Sequence, residues 1–347
     1  EYKAMFERQA PLANQPKTML PTDPKNIWME GIGLIGLGAN AKAASIAGDL
    51  AVQNARVRAI GEDAGGFRPI SEKDLFDCEY WSLEQAKLGK GAPPKFQGKI
   101  VMITGGSGTI GFAIAEAFSK LGAQTVLVDK DETTLKKAIT KLGHGHGYFP
   151  IDVTEADAAN QAMLAAIQKF GGLDILVSNA GAAHAGPMLS ISNDELRSAF
   201  ELNFFSHYSF STAAAKILKN QNRGGQILFN ISKQAVNPGR NFGAYGLPKA
   251  TTFFLMRQLA LELGSDGIRV NGVNADRIRS GLLTDDFISS RAKSRGVSES
   301  EYMAGNLLGK EVTAEHVADA FTSLACAEST TGHVMTVDGG NVEASLR

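Results

Sequence analysis

The amino-acid sequence predicts an α/β fold, a doubly wound parallel sheet of seven strands preceded by a smaller N-terminal part. From about residue 98 onward, short segments rich in Val and Ile alternate with segments of helical periodicity. The apolar segments lack polar alternation, which is typical of strands buried on both faces of a parallel sheet. Right-handed crossovers through the helices would connect them. The predicted strands cover residues 99–104, 124–129, 148–151, 173–178, 226–231, 268–273 and 333–337.

The composition is that of an ordinary globular protein and argues against several classes of function. The 347 residues are 44% hydrophobic and 20% charged, with a net charge of −1. A chain without a basic surface has little to attract nucleic acid or an anionic membrane, so neither is expected as a partner. The longest apolar runs, residues 31–37 and 100–103, are far shorter than the roughly 20 residues that a membrane-spanning helix requires.

The two cysteines, Cys78 and Cys326, are far apart in the sequence and have the spacing of neither a metal site nor a disulfide framework. They are predicted to be buried thiols in a reducing compartment, which favours a cytoplasmic location. No metal site is expected. The sequence begins at Glu1 without a methionine, which indicates a processed or partial chain.

A glycine-rich turn after the first predicted strand indicates a Rossmann-type nucleotide site. Residues 104–111 read TGGSGTIG and lie between the apolar strand KIVMIT and a helix predicted over residues 112–121. Glycines let the backbone approach a pyrophosphate, whose charge is met by N–H groups at the helix start. The nucleotide-binding candidates in this turn are Gly105, Ser107, Gly108, Thr109, Ile110 and Gly111.

An acidic residue at the end of the next strand indicates which nucleotide is used. Asp129 lies 24 residues after Gly105, where a carboxylate can accept both ribose hydroxyls and repel a 2′-phosphate. NAD is therefore expected rather than NADP, a preference that Lys130 could soften. Ligands of open parallel sheets lie at the carboxyl ends of the strands. The candidates at the ends of the third and fourth strands are Asp152, Val153, Asn179, Ala180 and Gly181.

A second glycine run, Gly31, Gly33 and Gly36, has the same G-x-G-x-x-G spacing without its context. A nucleotide site requires a preceding strand, a helix that opens on the third glycine and an acidic residue at the end of a second strand. Asp49 falls instead within a helix predicted over residues 41–57. These glycines are therefore interpreted as positions where a strand and a helix pack closely.

The proton chemistry is predicted to lie in residues 232–249, which read SKQAVNPGRNFGAYGLPK. Tyr245 and Lys249 are four residues apart, so on a helix they share one face and the ammonium can favour the ionised phenol. Pro248 is compatible with a helix that starts near Tyr245, because a proline in the first turn removes only an N–H without a partner. Ser232 ends the preceding strand, and turn residues 237–239 would fold it back toward the helix.

Together these motifs resemble the short-chain dehydrogenase/reductase family over residues 98–347. The segments that carry the resemblance are TGGSGTIG, Asp152-Val153, Asn179-Ala180-Gly181, Ser232, YGLPK, GIRVNGVN and VDGG. The resemblance implies a catalytic tetrad of Asn203, Ser232, Tyr245 and Lys249, in which Asn203 anchors a water relay. It also implies that Tyr245 exchanges a proton with the substrate oxygen, which Ser232 hydrogen-bonds. Lys249 is expected to lower the pKa of Tyr245 and to hold the nicotinamide ribose.

Two departures from the family pattern point to the substrate side. Ala275-Asp276 stands where the family usually has Pro-Gly, and Ser178 takes the first place of the Asn-Asn-Ala-Gly motif. Residues 276–310, the lid segment, carry several arginines and are interpreted as a mobile lid.

Four side chains are candidates for substrate contact. Arg277 and Arg279 of the lid segment are suited to a carboxylate or phosphate, with a solvated lid face as the alternative. His184 and Gln234 border the predicted site.

Residues 1–97 resemble the C-terminal tail of a class II aldolase/adducin-type domain with a linker at 89–95, as in bifunctional aldolase/dehydrogenase chains. GIGLIGLG at 31–38 and FDCEYWSLEQAKL at 76–88 carry this resemblance. Such aldolases hold zinc with several histidines, and no histidine precedes His144, so an aldolase domain is expected only upstream of Glu1. Resemblance to the rhamnulose-1-phosphate branch of rhamnose and carbohydrate metabolism implies L-lactaldehyde as the substrate of the dehydrogenase part.

Three functions remain open on the sequence alone. The first is an NAD-dependent oxidoreductase for a small hydroxy or carbonyl compound. The second is a sugar-phosphate ketose reductase of the sorbitol-6-phosphate type, anchored by Arg277 or Arg279. The third is a non-catalytic nucleotide-binding scaffold for an upstream aldolase domain. The family resemblance also implies a homodimer or homotetramer, paired through apolar faces of helices predicted over residues 193–218 and 244–263.

Overall fold

The structure is a computed structural model that describes residues 1–85, 92–183, 185–281 and 283–341. The chain divides into two compact units, Glu1–Gly98 and Lys99–Arg347. Residues 89–91 of the predicted linker 89–95 lie outside the described part of the chain, and residues 92–95 are described. No helix among the described residues is long and apolar enough to cross a bilayer.

The first unit contains a short antiparallel hairpin that contacts α2, and short helices that surround a small aromatic core. Met5, Phe76 and Tyr80 are buried together in this core. The elements, in chain order, are α1 (Tyr2–Gln9), a 3₁₀ turn (Ala10–Leu12), β1 (Asn26–Met29), β2 (Gly33–Gly36), α2 (Ala41–Asp63), α3 (Glu72–Glu79) and α4 (Ser82–Gln85).

The glycine run at residues 31–36 belongs to this hairpin and not to a nucleotide site. Strand β1 pairs with β2 in antiparallel register, whereas a dinucleotide turn requires parallel strands joined through a helix. A Cβ at Gly36 would overlap the carbonyl oxygen of Ala44 in α2. Gly36 therefore allows the hairpin to pack closely on α2, as interpreted from the sequence. For Gly31 and Gly33 that interpretation is wrong, because nothing lies near their Cβ positions; their positive φ angles show that they are required by the backbone of the hairpin turn instead.

The second unit is built on a seven-stranded sheet in which every neighbouring pair of strands is parallel. The spatial order is β5-β4-β3-β6-β7-β8-β9, so the order of the strands reverses direction beside β3. A crevice forms at such a switch point, outside the carboxyl ends of the strands. The strands are β3 (Ile100–Thr104), β4 (Gln124–Asp129), β5 (Gly147–Pro150), β6 (Ile175–Ser178), β7 (Gly225–Asn230), β8 (Ile268–Ala275) and β9 (Val334–Val337).

Helices connect these strands and bury a continuous apolar core against the sheet. They are α5 (Thr109–Lys120), α6 (Glu132–Leu142), α7 (Ala158–Phe170), α8 (Asn193–Phe200), α9 (Ser206–Gln221), α10 (Gly243–Leu263), α11 (Asp285–Arg295), α12 (Glu299–Met303) and α13 (Ala314–Cys326).

The helix predicted over residues 193–218 is interrupted by a π-helical turn, Glu201–Phe205, between α8 and α9. The side-chain amide of Asn203 donates to the carbonyl oxygen of Ala199 at 3.1 Å. This is the acceptor that the backbone N–H of Asn203 would use in a regular α-helix, so the side chain competes with the helical pattern. The turn therefore has a local cause that periodicity does not reveal.

Two further predictions differ from the structure. Helix α10 begins at Gly243, so Pro248 is its sixth residue and lies outside the first turn; its ring removes an N–H that a regular helix would bond to Ala244. The cysteines are not buried thiols, because Cys78 is exposed and Cys326 is partly exposed. Small side chains near helix ends, as at Cys326, need not enter the core.

Replacing Gly111 with Ala is expected to destabilise the second unit by about 2 kcal/mol, because the new Cβ would overlap the backbone oxygen of Gly105, which cannot move cheaply. The measurement is thermal or urea unfolding without added nucleotide. Gly264→Ala is the control, since nothing lies near its Cβ position and its φ of −60° suits alanine. The control should stay within about 0.5 kcal/mol of the wild type; equal stability of both variants would contradict the steric account.

Candidate active site

A cleft of about 920 Å³ opens at the carboxyl ends of the parallel strands. Its walls combine the glycine-rich turn after β3, the strand ends of β4 to β7, the start of α10 and part of the lid segment. Residues predicted from separate motifs are therefore brought to one place. A cleft at the switch point of a parallel sheet is where ligands of this architecture bind.

The glycine-rich turn forms a close-fitting cradle. Gly105 has a φ of +63°, which favours glycine, and Gly111 has no room for a side chain beside the backbone of Gly105. Gly108 caps α5, whose first N–H groups have no partner within the helix. This end of α5 faces the cleft through Gly108, Thr109 and Ile110. The turn thus fits the pyrophosphate of a dinucleotide, held by N–H groups and the positive helix end.

Asp129 lines the cleft at the end of β4 and is held in place by neighbours. Its Oδ2 accepts from the hydroxyl of Ser107 at 2.7 Å, and its Oδ1 accepts from the N–H of Lys130 at 2.8 Å. Ser107 was predicted to contact the cofactor itself, but it is absent from the described cleft wall. Its hydroxyl points to Asp129 and accepts from Thr134 at 3.0 Å, so the structure makes it a support for Asp129.

Asp152 and Val153 follow β5, and both line the cleft. The N–H and hydroxyl of Thr154 donate to Asp152 at 3.0 and 2.7 Å. These hydrogen bonds, with Lys130 nearby, lower the pKa of Asp152 below its usual value. Lys130 also lines the cleft and lies 3.9 Å from this carboxylate. A charged Asp152 at this place suits hydrogen bonding to a nucleotide base.

The ends of β3, β6 and β7 are tied together by a chain of hydrogen bonds through Asn179. The hydroxyl of Thr104 accepts from the N–H of Asn179 at 2.9 Å and from that of Ala180 at 3.1 Å. The amide of Asn230 then donates to the side-chain oxygen of Asn179 at 2.8 Å. A Cβ at Gly181 would lie 2.8 Å from the side chain of Asn203. The Asn-Ala-Gly segment therefore shapes the cleft floor by close packing.

Three of the four predicted catalytic residues line the cleft together: Ser232, Tyr245 and Lys249. Tyr245 and Lys249 lie in α10, with the Lys249 ammonium 5.9 Å from the centre of the Tyr245 ring. Ser232 follows β7, caps a short 3₁₀ turn and hydrogen-bonds Tyr245. The hydroxyl, the phenol and the ammonium thus face one space, as the sequence spacing predicted.

Asn203, the fourth predicted catalytic residue, is fully buried behind the cleft wall. Its side chain exchanges hydrogen bonds with the backbone of Ala182, accepting at 3.3 Å and donating at 2.9 Å. Its own carbonyl oxygen accepts from the hydroxyl of Thr252 at 2.8 Å. The structure therefore shows Asn203 bracing the wall beside Gly181, while its part in a water relay stays a prediction.

The protein groups alone do not acidify Tyr245 as the sequence suggested. Burial raises the pKa of Tyr245 above its ordinary value, and the hydrogen bond with Ser232 opposes this only in part. Burial also lowers the pKa of Lys249 to about 7, because the ammonium is costly in a buried place. Near neutral pH the lysine is therefore partly uncharged, and desolvation outweighs the expected attraction between the two groups.

A buried histidine that was missed from the sequence contacts the lysine. The Nε2 of His207 lies 3.3 Å from Nζ of Lys249, and its Nδ1 lies 2.6 Å from Oγ of Ser178. When Lys249 is an ammonium it has no lone pair, so in that state Nε2 accepts from Lys249 and Nδ1 carries the proton. Burial and the Lys249 charge lower the pKa of His207 well below its usual value, which keeps it neutral. The signals available in the sequence were Ser178 in place of asparagine and a histidine four residues after Asn203.

The structure places the four substrate candidates in different surroundings. Gln234 lines the cleft, and its side-chain oxygen accepts from the N–H of Gly239 at 2.6 Å. Arg277 also lines it, but its guanidinium donates to the carbonyl oxygen of Tyr302 and lies 3.6 Å from Asp276. His184 lies outside the described residues.

Arg279 is not among the described residues of the cleft wall. It pairs with Asp285 at 2.6 Å and with Glu311 at 2.8 Å. Its charge is therefore compensated by one carboxylate within the lid segment and by another directly after it. The structure thus does not bring Arg279 to the described cleft wall, because Asp285 and Glu311 compete for it. Its contact with substrate stays a prediction.

The departure at Ala275-Asp276 has a structural explanation. The carboxylate of Asp276 lies 3.6 Å from Nζ of the buried Lys233 and accepts from the amide of Asn341 at 2.8 Å. Lys233 lies 3.3 Å from Asp338 as well. A buried ammonium is retained only with such partners. Asp276 thus fixes the residue that follows Ser232.

The fold and this cleft define a class of protein, the oxidoreductases with a Rossmann-type α/β fold. Comparison with known proteins narrows this class. Residues 106–341 match the family described as enoyl-(acyl carrier protein) reductase, and residues 1–88 match the second domain of class II aldolase. The chain belongs to the short-chain dehydrogenase/reductase family, fused to an aldolase-type segment.

Relatives and solved structures agree with this assignment. "Uncharacterized oxidoreductase YuxG" of Bacillus subtilis is 31% identical over 362 residues, a match that covers 100% of this chain and 52% of that protein. The chain thus spans about half the length of YuxG. A (+)-borneol dehydrogenase 1 of Salvia officinalis is 30% identical over 251 residues, or 71% of this chain and 94% of that one.

Among solved structures, a 3-ketoacyl-(acyl-carrier-protein) reductase from Brucella melitensis, complexed with NADH, is 26% identical with a TM-score of 0.63. The match covers 70% of this chain and 98% of that one. A short-chain type dehydrogenase/reductase from Mycobacterium marinum is 27% identical with a TM-score of 0.64, over 71% and 96% of the two chains.

Replacing His207 with Leu is expected to move the acidic limb of the pH profile for alcohol oxidation to higher pH by about 0.5–1 unit. The substitution removes an acceptor worth about 1 kcal/mol from the charged lysine. The pKa of Lys249 then falls further below about 7, less ammonium remains beside Tyr245, and the phenol ionises at higher pH.

The measurement is kcat/KM against pH with any alcohol that the chain oxidises. His207→Gln is the matched variant, because its amide oxygen can still accept, and it should restore most of the shift. An acidic limb in His207→Leu identical to that of the wild type would show that this histidine only fills space.

Proposed function

We propose that the second unit is an NAD-dependent oxidoreductase that transfers a hydride between NAD and a small hydroxy or carbonyl substrate. The observation that carries this proposal is that Ser232, Tyr245 and Lys249 face the same cleft as the glycine-rich turn and Asp129. A nucleotide placed along that turn would extend from Asp129 toward Tyr245. The reacting carbon of a substrate would then lie between the nicotinamide and the phenol.

The chain's own residues would handle the proton. In alcohol oxidation, the phenolate of Tyr245 takes the hydroxyl proton while Ser232 donates a hydrogen bond to the same oxygen; in carbonyl reduction the proton moves the other way. The bound nicotinamide supplies or accepts the hydride. Lys249 is held by the carbonyl oxygen of Asn230 at 3.0 Å and by His207, in reach of a ribose hydroxyl and of the phenol.

NAD is proposed as the cofactor rather than NADP. Asp129 is fixed by Ser107 with one oxygen atom and by the backbone of Lys130 with the other. A fixed carboxylate accepts hydrogen bonds from the two ribose hydroxyls and repels a 2′-phosphate. Lys130 is exposed and lies toward Asp152, so it offsets the repulsion only weakly.

L-Lactaldehyde is proposed as the substrate, in the context of sugar breakdown. The support is the aldolase-type first unit, together with a relative about twice as long that covers the whole chain. An aldolase joined upstream would release a short aldehyde, and this chain would oxidise it. Oxidation to an acid proceeds through the hydrated aldehyde, whose hydroxyl gives its proton to Tyr245 and whose carbon gives up the hydride.

A sugar-phosphate ketose reductase is the second candidate. It is favoured by the arginine side chains that line the lid side of the cleft, Arg240, Arg277, Arg291 and Arg295. Phosphate groups are commonly bound by such guanidinium groups.

We also propose self-association through the outer faces of α9 and α10. Exposed apolar side chains lie on these helices, including Tyr208, Leu247, Phe254 and Leu261. Large exposed apolar side chains of this kind are typical of subunit interfaces.

Replacing Tyr245 with Phe is expected to lower kcat by about 10²–10⁴-fold, because the proton carrier is removed, while NADH binding stays within about twofold. The measurements are NADH formation in a screen of small hydroxyaldehydes, alcohols and sugar phosphates, and NADH fluorescence titration. Tyr148→Phe is the control, since Tyr148 lies on β5 outside the described cleft wall and its hydroxyl donates to Glu132 at 3.4 Å. Unchanged turnover in Tyr245→Phe would refute Tyr245 as the proton carrier. No turnover of the wild type on any compound would favour the nucleotide-binding scaffold.

Replacing Asp129 with Ser is expected to weaken NADH binding and strengthen NADPH binding, with the ratio of the two dissociation constants changing at least about tenfold, or 1.4 kcal/mol. The carboxylate that repels the 2′-phosphate is removed. Fluorescence titration with both reduced nucleotides measures this without a substrate. Lys130→Ala should shift the ratio slightly toward NADH. A wild type that prefers NADPH would refute the NAD assignment.

A further inference from the structure

The lid segment presents two arginines to the cleft that no carboxylate of the described residues neutralises. Arg291 and Arg295 both line the cleft and lie four residues apart in α11, on one helix face. Among the described residues, neither forms an ion pair, in contrast to Arg277 and Arg279. Arg291 and Arg295 therefore give this wall two positive charges without a carboxylate partner among the described residues, next to Arg240 and Arg277.

Aromatic rings hold both guanidinium groups in place. The guanidinium of Arg291 lies 5.3 Å from the ring centre of Phe242 and 5.8 Å from that of Phe287. Arg295 lies 5.2 Å from the ring of Tyr302. Stacking of this kind restrains a guanidinium while leaving its edge N–H groups free to bind a ligand. These ring contacts therefore restrain Arg291, which is partly buried, more than Arg295, which is exposed.

Arg291 is also connected to the catalytic helix. Phe242 is the N-cap of α10, three residues before Tyr245, and its ring packs edge-to-face on Phe287 at 5.8 Å. The Nε of Arg291 is buried and has no hydrogen-bond partner in the described structure. A buried donor of a cationic group without a hydrogen bond destabilises the folded state. Packing alone does not explain why the fold retains this arginine.

We propose that Arg291 and Arg295 form an anion-binding subsite for a carboxylate or phosphate group of the substrate or product. This inference rests on the proposed oxidoreductase function, since the same cleft must hold the reacting carbon beside Tyr245. A planar guanidinium binds two oxygen atoms of either anion with charge-assisted hydrogen bonds. The subsite therefore binds small hydroxy or carbonyl compounds that carry an anionic end. For the oxidation of lactaldehyde this is the product, lactate, and for the ketose reductase it is the sugar phosphate.

The pyrophosphate of the nucleotide is the competing anion for these arginines. It has its own cradle at the other side of the cleft, formed by the glycine-rich turn and the start of α5. Loss of substrate binding with unchanged nucleotide binding therefore distinguishes the subsite from a cofactor contact.

The experiment uses the full chain saturated with NADH and measures binding by calorimetry. The probes share a secondary hydroxyl and differ in their other end: 1,2-propanediol is neutral, lactate carries a carboxylate and glycerol 3-phosphate carries a phosphate. The wild type should bind at least one anionic probe about tenfold or more tighter than the neutral one. The anionic probe that binds more tightly shows whether the subsite prefers a carboxylate or a phosphate.

The double variant Arg291→Gln/Arg295→Gln should lose at least about tenfold in affinity for that anionic probe and keep its affinity for NADH. Arg279→Gln, the matched control, removes a cation from the same segment outside the described cleft wall and should change neither affinity. Arg291→Lys/Arg295→Lys keeps the charge and guards against misfolding; it should recover part of the loss.

Equal binding of neutral and anionic probes to the wild type, or an unchanged double variant, would overturn the subsite. Loss of NADH affinity would overturn it as well, because the arginines would then serve the nucleotide. Turnover is scored separately through Tyr245→Phe. A chain that binds the anion without Tyr245-dependent turnover would retain the subsite and refute the oxidoreductase.

Discussion

The structure of the second unit depends on keeping one ammonium group, that of Lys249, inside the protein. The side chain is almost fully buried, and this burial is expressed in a pKa near 7. Three elements supply its surroundings: the carbonyl of Asn230 at the end of β7, His207 on α9 and Tyr245 on α10. Asn230 is in turn bound to Asn179, and Asn179 to Thr104. The ends of β3, β6 and β7 and two helices are therefore fixed around one charge.

The burial of Lys249 also affects the ionisation of the groups in the site. A lysine that is close to its own titration point near neutral pH changes its charge in response to small changes in its neighbourhood. The chain alone leaves Tyr245 protonated, because burial favours the neutral phenol. The positive charge that a bound oxidised nicotinamide brings would add to that of the lysine. The reactive state of the phenol is then a property of the loaded site and not of the polypeptide alone.

Much of this could be predicted from the sequence, and the reasons are local. The strands follow from uninterrupted Val and Ile runs, and the cofactor cradle follows from glycines between a strand and a helix. The shared face of Tyr245 and Lys249 follows from helical spacing. What could not be predicted depends on partners remote in the chain. The sequence does not show that Ser107 donates a hydrogen bond to Asp129 or that Glu311 forms an ion pair with Arg279. It also does not show that His207 contacts Lys249. The sign of the Tyr245 shift was also missed, because spacing reports proximity and says nothing of desolvation.

The π-helical turn at Glu201–Phe205 determines the direction in which each later side chain of α9 points. Each residue of an α-helix turns the chain by about 100°. Removing a single residue from this turn, so that it became regular helix, would therefore swing the imidazole of His207 by roughly a quarter of a revolution, away from Lys249 and into the apolar packing beside it. The loop lengths on either side would be unaltered, and so would the strand order. In homologous chains, a one-residue insertion or deletion at this point therefore marks whether the histidine and the lysine can meet at all.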